Sequence, residues 1–207
     1  MKKLLLSAAL LFAFPLTSHA EMTPPDQMPA GIYTVDKTHA SVTWKVSHMG
    51  LSNYTARFTS IDAELNFDPV KPENSVIKAS VDPLSIRTDY PNAAEKDFDK
   101  ELATGTMWFN GVAFPKITFE STKIEMIGDK SAKITGNLTL LGVTKPMTLD
   151  AVFNGAYIKK PFADVPGLGF SAIGTIKRSE FGMKTYIPNI GDDVQIIIEA
   201  EFHKAAL

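Results

Sequence analysis

The 207-residue sequence contains no cysteine, so disulfide bonds, thiol nucleophiles and cysteine-ligated zinc are excluded. It also lacks any apolar run of about 18 residues, the length that a membrane-spanning helix needs. Basic and acidic residues are nearly balanced, at 21 against 23, and no lysine- or arginine-rich run follows the first few residues. The chain therefore lacks the basic surface that nucleic-acid binding requires, and we expect no nucleic-acid partner.

Apolar residues make up 44% of the chain and charged residues 21%, which is typical of a soluble globular protein. Disordered and collagen-like classes are excluded by this composition. A chain of this length buries one good core, or at most two small domains.

The first twenty residues have the organisation of a secretory signal peptide. Lys2 and Lys3 precede an apolar run over 4–14, and Ser18-His19-Ala20 forms a small-x-small cleavage site. The apolar run is too short to cross a bilayer. We therefore expect the protein to be exported with residues 1–20 removed.

The mature chain divides into a short leader and one domain. Four proline or glycine residues interrupt 21–31, which we interpret as an extended leader. From residue 32 to 207, apolar and polar residues alternate in runs, the pattern of half-buried antiparallel strands. We predict roughly nine strands, at 32–35, 41–47, 54–67, 76–81, 117–127, 133–141, 145–154, 169–177 and 194–202.

Within 54–67, and again within 117–127, the alternation of apolar and polar residues slips by one position, so that the apolar residues change from one face of the predicted strand to the other. Such a shift indicates a bulge or bend, which favours a closed barrel over a flat sandwich. One short helix is predicted from Asn92 to Leu102, because Asn92 can cap it and Glu95 stands at the capping-box position. The predicted fold is an all-β, extended antiparallel lipocalin-like barrel of eight or nine strands with one short helical insertion.

Small residues recur at inward-facing positions of the predicted strands: Ala63, Ala79, Gly136, Ala151, Ala172, Gly174 and Ala200. A barrel of this size is either filled by its side chains or holds one small ligand, and we expect a hollow, apolar lumen suited to a hydrocarbon. In the alternative interpretation, the barrel is filled: the glycines only relieve crowding between strands, and the alanines fit the narrowing of the barrel interior. The predicted lumen-lining, ligand-binding residues are Val42, Trp44, Val46, Phe58, Ala63, Leu65, Phe67, Ala79, Phe119, Gly136, Leu138, Phe153, Phe170, Ala172, Ile176 and Ile198.

Catalytic and metal-binding motifs are missing from the sequence. His39, His48 and His203 have no carboxylate at a metal-motif spacing, so we predict no metal site. Neither a G-x-S-x-G motif nor a complete dinucleotide-binding glycine motif occurs, so we predict neither catalytic residues nor a cofactor.

Four blocks of sequence, in this order, resemble the YceI-like family over residues 32–202. They are DKTHAS (36–41) with Trp44 and HMG (48–50), FPKITFES (114–121), GNLTLLGVTKPMTL (136–149) and RSEFGM (178–183). The resemblance implies a bacterial, periplasmic, lipocalin-like barrel whose lumen binds a polyisoprenoid or a similar amphiphile, such as the tail of a ubiquinone.

The resemblance also places residues near the mouth of the barrel. Thr88 and Asp97 match family positions there, and we add Arg87, Tyr90 and Trp108 as further head-group candidates. Asp99 stands where family members often have histidine.

The leading hypothesis is a non-catalytic carrier of an isoprenoid lipid or quinone. One alternative is an enzyme acting on the head group, which requires His39, His48, Asp97 or Asp99 to converge at the mouth. The other is a solid structural or interaction barrel. A homodimer formed through an edge strand is a further possibility.

If residues 1–20 are a signal peptide, the exported protein begins at Glu21, after the small-x-small site that follows the apolar run. Intact-mass measurement of the secreted protein tests this expectation. A mature protein that retains residues 1–20 would contradict it.

Overall fold

A computed structural model describes residues 21–205, so the predicted signal peptide lies outside the described residues. Within this range no helix is long and apolar enough to cross a membrane. The described chain has one α-helix, α1 (Phe98–Thr104), between the fifth and sixth of ten strands. The strands are β1 (Gly31–His48), β2 (Ser52–Phe58), β3 (Ile61–Phe67), β4 (Val76–Val81), β5 (Ile86–Arg87), β6 (Ile117–Met126), β7 (Ser131–Leu140), β8 (Val143–Tyr157), β9 (Gly167–Lys177) and β10 (Ile190–Lys204).

The sheet closes on itself because the long β1 pairs antiparallel with β10 as well as with β2 and β3. In the described residues, β1, β3, β4 and β6–β10 form an eight-stranded barrel. β2 continues the line of β3 along the second half of β1, and the two-residue β5 pairs with the end of β2. This confirms the predicted all-β antiparallel barrel with a single helical insertion.

Two predicted segments are divided differently in the structure, β5 was not predicted, and the ends of the other strands shift by at most four residues. The segments predicted at 32–35 and 41–47 form one strand, β1, whose register with β10 shifts between Val35 and Ala40. The strand predicted over 54–67 is instead interrupted at Thr59 and Ser60, whose amides donate to the Ser85 hydroxyl, at 3.2 and 3.0 Å. These bonds replace sheet pairing at the corner. The bulge predicted in β6 is confirmed between Ser121 and Lys123.

The helix is shorter than predicted and begins later. Asp97 caps it, because its Oδ1 accepts a hydrogen bond from the Lys100 amide at 2.9 Å. Asn92 lies in a preceding turn, where its carbonyl accepts from the amides of Glu95 and Lys96. The predicted Asn92 cap is therefore wrong, since a second capping residue lies five positions later and is the one used.

The two ends of the barrel are built differently. We call one the helix end, where α1, the β1–β2 and β7–β8 turns and the β9–β10 connection lie. The other is the leader end, with residues 21–30 and the β3–β4, β6–β7 and β8–β9 connections. The leader packs on the barrel: Pro25–Gln27 form a 3-10 turn, and Met28 is buried beside Tyr33, Phe67 and Phe202.

Gly136 and Gly174 make room for larger neighbours. A Cβ on Gly136 would overlap the Phe119 ring and lie 2.5 Å from the Glu120 carbonyl oxygen. A Cβ on Gly174 would lie 2.5 Å from Cε of Met147. At these two positions the crowding interpretation of the small residues is the correct one.

Gly136→Ala is expected to lower the free energy of unfolding by about 1–3 kcal/mol, because the added methyl displaces Phe119 or the strand itself. Gly128→Ala is the matched control, since its Cβ would be 4.0 Å from the nearest atom. Chemical denaturation of both variants measures the difference. Equal stability of the two variants would contradict the packing described for Gly136.

Candidate functional site

The barrel encloses a cavity of about 360 Å³ whose wall is almost entirely apolar. The wall is made by the inward-facing side chains of the strands, as the period of two in the sequence requires. Fifteen of the sixteen residues predicted to face the lumen line this cavity, and Gly136 does not, because Phe119 covers it. The fifteen are Val42, Trp44, Val46, Phe58, Ala63, Leu65, Phe67, Ala79, Phe119, Leu138, Phe153, Phe170, Ala172, Ile176 and Ile198.

The hollow is maintained by pairs of alanines that lie opposite each other on neighbouring strands. Ala63 pairs with Ala79 across β3 and β4, and Ala151 pairs with Ala172 across β8 and β9. A third pair, Ala40 with Ala200, spans the β1–β10 closure, and all six alanines line the cavity. Because neither member of a pair reaches far from the wall, the centre of the barrel stays unfilled. The solid-barrel alternative is therefore wrong.

The cavity is closed at the helix end. Leu102 from α1 is buried there, and Trp108 and Phe109 complete the apolar cover. On the other side of the same end, Met183 is buried and lines the cavity. The aromatic segment that follows the helix therefore lies across this end of the barrel.

Arg178 holds the β9–β10 connection against the closed end. Its side chain is only 3% exposed, and it donates hydrogen bonds to the carbonyl oxygens of Met183, Thr185, Ile190 and Gly191 at 2.8–3.1 Å. Burial lowers the pKa of the Arg178 guanidinium, although nearby Asp192 acts in the opposite direction. No role was predicted for Arg178 from the sequence. It appears there only as the first residue of RSEFGM (178–183), one of the four blocks that carry the family resemblance.

The cavity reaches solvent at the leader end. There its lining includes Met126, Asp129 and Lys130, all of which are exposed. The wall opens because pairing between β4 and β6 ends at Lys78 and Glu120, whereas β6 continues for six more residues alongside β7. The mouth of the lumen therefore lies between the β3–β4 connection and the β6–β7 hairpin.

All five residues predicted at the mouth lie instead at the closed end, near α1. The Thr88 hydroxyl and amide both donate to Asp99, at 2.6 and 2.8 Å, and Asp97 caps α1. Tyr90 packs on Phe98, and Arg87 donates to the carbonyl of its neighbour Ile86. Among the five, Trp108 alone lines the cavity.

One polar atom near the closed end of the lumen is unpaired. Trp44 lines the cavity, and its buried Nε1 has no hydrogen-bond partner among residues 21–205. A buried donor without an acceptor costs free energy.

A polar cluster lies at the leader end, beside the β1–β10 closure. The ammonium group of Lys160 contacts Glu201 and lies 3.3 Å from Asp36 Oδ2 and 2.9 Å from His203 Nε2. The ligand atoms of Asp36, Glu201 and His203 all lie within 4.8 Å of one another, a spacing compatible with a metal ion. The lysine ammonium contacts all three residues and offsets the charge of one of the two carboxylates, so the arrangement is already an ion-pair network.

Asp36 is the centre of this network. Burial alone would raise its pKa, but hydrogen bonds from Thr38, His39 and Lys160 outweigh burial and hold the pKa of Asp36 well below its ordinary value. His39 Nδ1 lies 2.8 Å from Asp36 Oδ2. In the structure His39 therefore contacts Asp36 within the irregular part of β1, between Val35 and Ala40.

The four candidate acid–base residues of the enzyme alternative do not converge at the mouth. His39 is bound to Asp36, nine residues along β1 from His48, and His48 lies at the helix end. Asp97 and Asp99 accept hydrogen bonds from Lys100 and Thr88, also near that end. The geometry that the head-group enzyme requires is therefore not present in the described residues.

Comparison with known proteins yields a family-level match. The profile of the YceI-like domain matches residues 33–202. A UPF0312 protein of Pseudomonas putida is 39% identical over 160 residues, which cover 76% of this chain and 79% of the relative.

Solved structures share the barrel. The Campylobacter jejuni YceI protein is 30% identical with a TM-score of 0.67, covering 77% of this chain and 90% of that one. A polyisoprenoid-binding domain from Saccharophagus degradans matches with a TM-score of 0.55 over 86% of this chain and all of its own. At 11% identity, that second likeness shows the fold alone.

Asp36→Asn should destabilise the protein by about 2 kcal/mol at neutral pH, because Lys160 loses a charged hydrogen-bond acceptor. A carboxyl whose pKa is lowered by folding stabilises the protein fully above its unfolded pKa of about 3.9, and this contribution is lost as the pH falls. The difference between wild type and variant should therefore shrink below about pH 4.

The control is Asp62→Asn, which removes an exposed ion pair with Lys37 and should change stability little. Denaturant unfolding of the three proteins across this pH range gives the measurement. A deficit in Asp36→Asn that is the same at low and neutral pH would contradict the role given to Asp36.

Proposed function

Because the chain belongs to the YceI-like family, we propose that it is a carrier that holds the tail of an isoprenoid lipid in its barrel lumen. The tail would be that of a polyisoprenoid or of a ubiquinone-type molecule, and the protein would bind it without chemical change. One observation carries this proposal: an apolar cavity, closed at the helix end, that reaches solvent at the leader end.

The physical character of the lumen favours a hydrocarbon. Sugars, nucleotides and ions need several polar partners, and the wall offers almost none. Each methylene moved from water into such a site contributes about 0.8 kcal/mol, so a dozen buried carbons contribute on the order of 10 kcal/mol before the costs of association. That is sufficient for micromolar or tighter binding.

The orientation of the ligand follows from the two ends. A tail that enters at the mouth extends toward Leu102 and Phe109, where the lumen is closed. A polar head group would then remain near Asp129 and Lys130, in contact with water. Selection of an isoprenoid over other long hydrocarbons is supported by the name of the Saccharophagus degradans neighbour, a polyisoprenoid-binding domain.

The same proposal includes the compartment and the absence of catalysis. The signal-peptide pattern of residues 1–20 supports a periplasmic carrier. The local hydrogen bonds of His39, Asp97 and Asp99 support binding without catalysis, since a general acid or base must reach the substrate.

Ala172→Phe tests whether the lumen is occupied. The phenyl ring would fill space at the centre of the cavity wall, so lipid that co-purifies with the protein should fall at least severalfold. The thermal stability of the ligand-free protein should hold or rise, because the ring fills a void. Solvent extraction followed by mass spectrometry measures the lipid.

The matched control is Ile173→Phe, the next residue on β9, whose side chain is exposed on the outer surface. Its lipid content should equal that of wild type. Wild-type protein that contains no extractable lipid, together with a strongly destabilised Ala172→Phe, would contradict the proposal.

A further inference from the structure

Large apolar side chains are exposed at the tips of three connections at the leader end. Val70 in the β3–β4 connection is 77% exposed, and Ile127 in the β6–β7 turn is 58% exposed. Phe162 in the β8–β9 connection is fully exposed. We call these three residues the tip residues. Exposing a phenylalanine completely to water is unfavourable. Exposed apolar residues that adjoin the opening of an apolar cavity are typical of an interaction surface.

The backbone of each tip is held in place by the protein itself. The Val70 amide donates to Asp68 Oδ1 at 3.0 Å, and the Ile127 amide donates to the Ser131 carbonyl at 2.9 Å. The Phe162 loop is closed by a bond from the Lys160 amide to the Val165 carbonyl, at 2.8 Å. The Lys160 side chain ties the same loop to β1 and β10. The tips are therefore presented by ordered turns.

Two of the tip residues, Val70 and Ile127, border the route into the lumen, and Phe162 lies at the same end of the barrel. Val70 precedes Pro72, and Ile127 lies between Met126 and Asp129; Pro72, Met126 and Asp129 all line the cavity. The apolar surface of the tips is thus continuous with the apolar wall through the mouth. A hydrocarbon tail that moves between the lumen and a bilayer would avoid water if the mouth faced the bilayer directly.

Charge at this end identifies the kind of bilayer contact. Each tip has a lysine nearby, Lys71, Lys130 or Lys159, of the kind that contacts lipid phosphates. Acidic groups balance them: Lys159 pairs with Asp164 at 2.8 Å, and Asp129 stands beside Lys130. There is no excess of positive charge, so attachment must depend on the apolar tips and should respond weakly to salt.

We propose that the leader end docks on a phospholipid bilayer through the tip residues Val70, Ile127 and Phe162, with the mouth of the lumen against the membrane surface. This inference deepens the proposed carrier function and rests on it, because docking places the cargo opening where membrane lipids are. The bound state is shallow and reversible, since three side chains bury little area compared with a lipid anchor.

The experiment is co-flotation of the full mature protein with phosphatidylcholine vesicles. Wild type should float with the vesicles, and the triple variant Val70→Ser, Ile127→Ser, Phe162→Ser should bind at least tenfold more weakly. The matched control is the triple variant Leu51→Ser, Met107→Ser, Val112→Ser, which removes three exposed apolar residues outside the leader end. It should bind as wild type does, and raised salt should change binding less than twofold.

Further measurements distinguish the possible failures. Thermal unfolding tests whether both triple variants are folded. If the triple variant at the tip residues is not folded, the single variant Phe162→Ser replaces it in the flotation experiment. Ala172→Phe should still float, since its tip residues are intact. Lipid extraction therefore measures loss of the bound lipid, and flotation separately measures loss of membrane docking. Wild type that does not float, equal loss of binding in both triple variants, or wild-type dimers in sedimentation velocity that the tip variant lacks would overturn the docking proposal.

Discussion

The antiparallel pairing of β1 with β10 is the interaction on which the rest of the structure depends. It joins the first and last strands of the sheet, so every inward-facing side chain is confined to one lumen. The same closure brings Asp36 of β1 beside Glu201 and His203 of β10, where Lys160 forms ion pairs with both carboxylates. Without this pairing the chain would have two open sheet edges and no enclosed cavity.

A closed barrel still has to be either filled or left hollow, and here the alanine pairs keep it hollow. An apolar cavity of about 360 Å³ that stays unfilled leaves its lining side chains without packing partners, which costs stability. Larger residues at Ala63, Ala151 or Ala172 would relieve that cost. The small residues at facing positions leave the space that the proposed lipid tail would occupy.

The lining of the lumen could be predicted from the sequence, because the side chains of a strand alternate strictly between its two faces. Once one residue of a strand is known to face inward, every second residue is expected to line the cavity. Gly136 is also on the inward face, but the Phe119 ring covers it, and the alternation of a strand does not show whether a neighbouring ring separates a glycine from the lumen. The mouth could not be predicted, since it depends on where pairing of β4 with β6 stops, a relation between segments about 40 residues apart. Asn92 was favoured over Asp97 as the helix cap because the pattern permits both, and only tertiary contacts choose between them.

The central claim is that an isoprenoid tail occupies the lumen, and the chain's two tryptophans, Trp44 and Trp108, both line the cavity. Titration of delipidated protein with an isoprenoid alcohol, followed by tryptophan fluorescence, therefore reports directly on filling of the lumen. We expect a saturable change in emission that ends at one ligand per chain. An emission spectrum that stays constant, or that changes linearly without saturation, would contradict it.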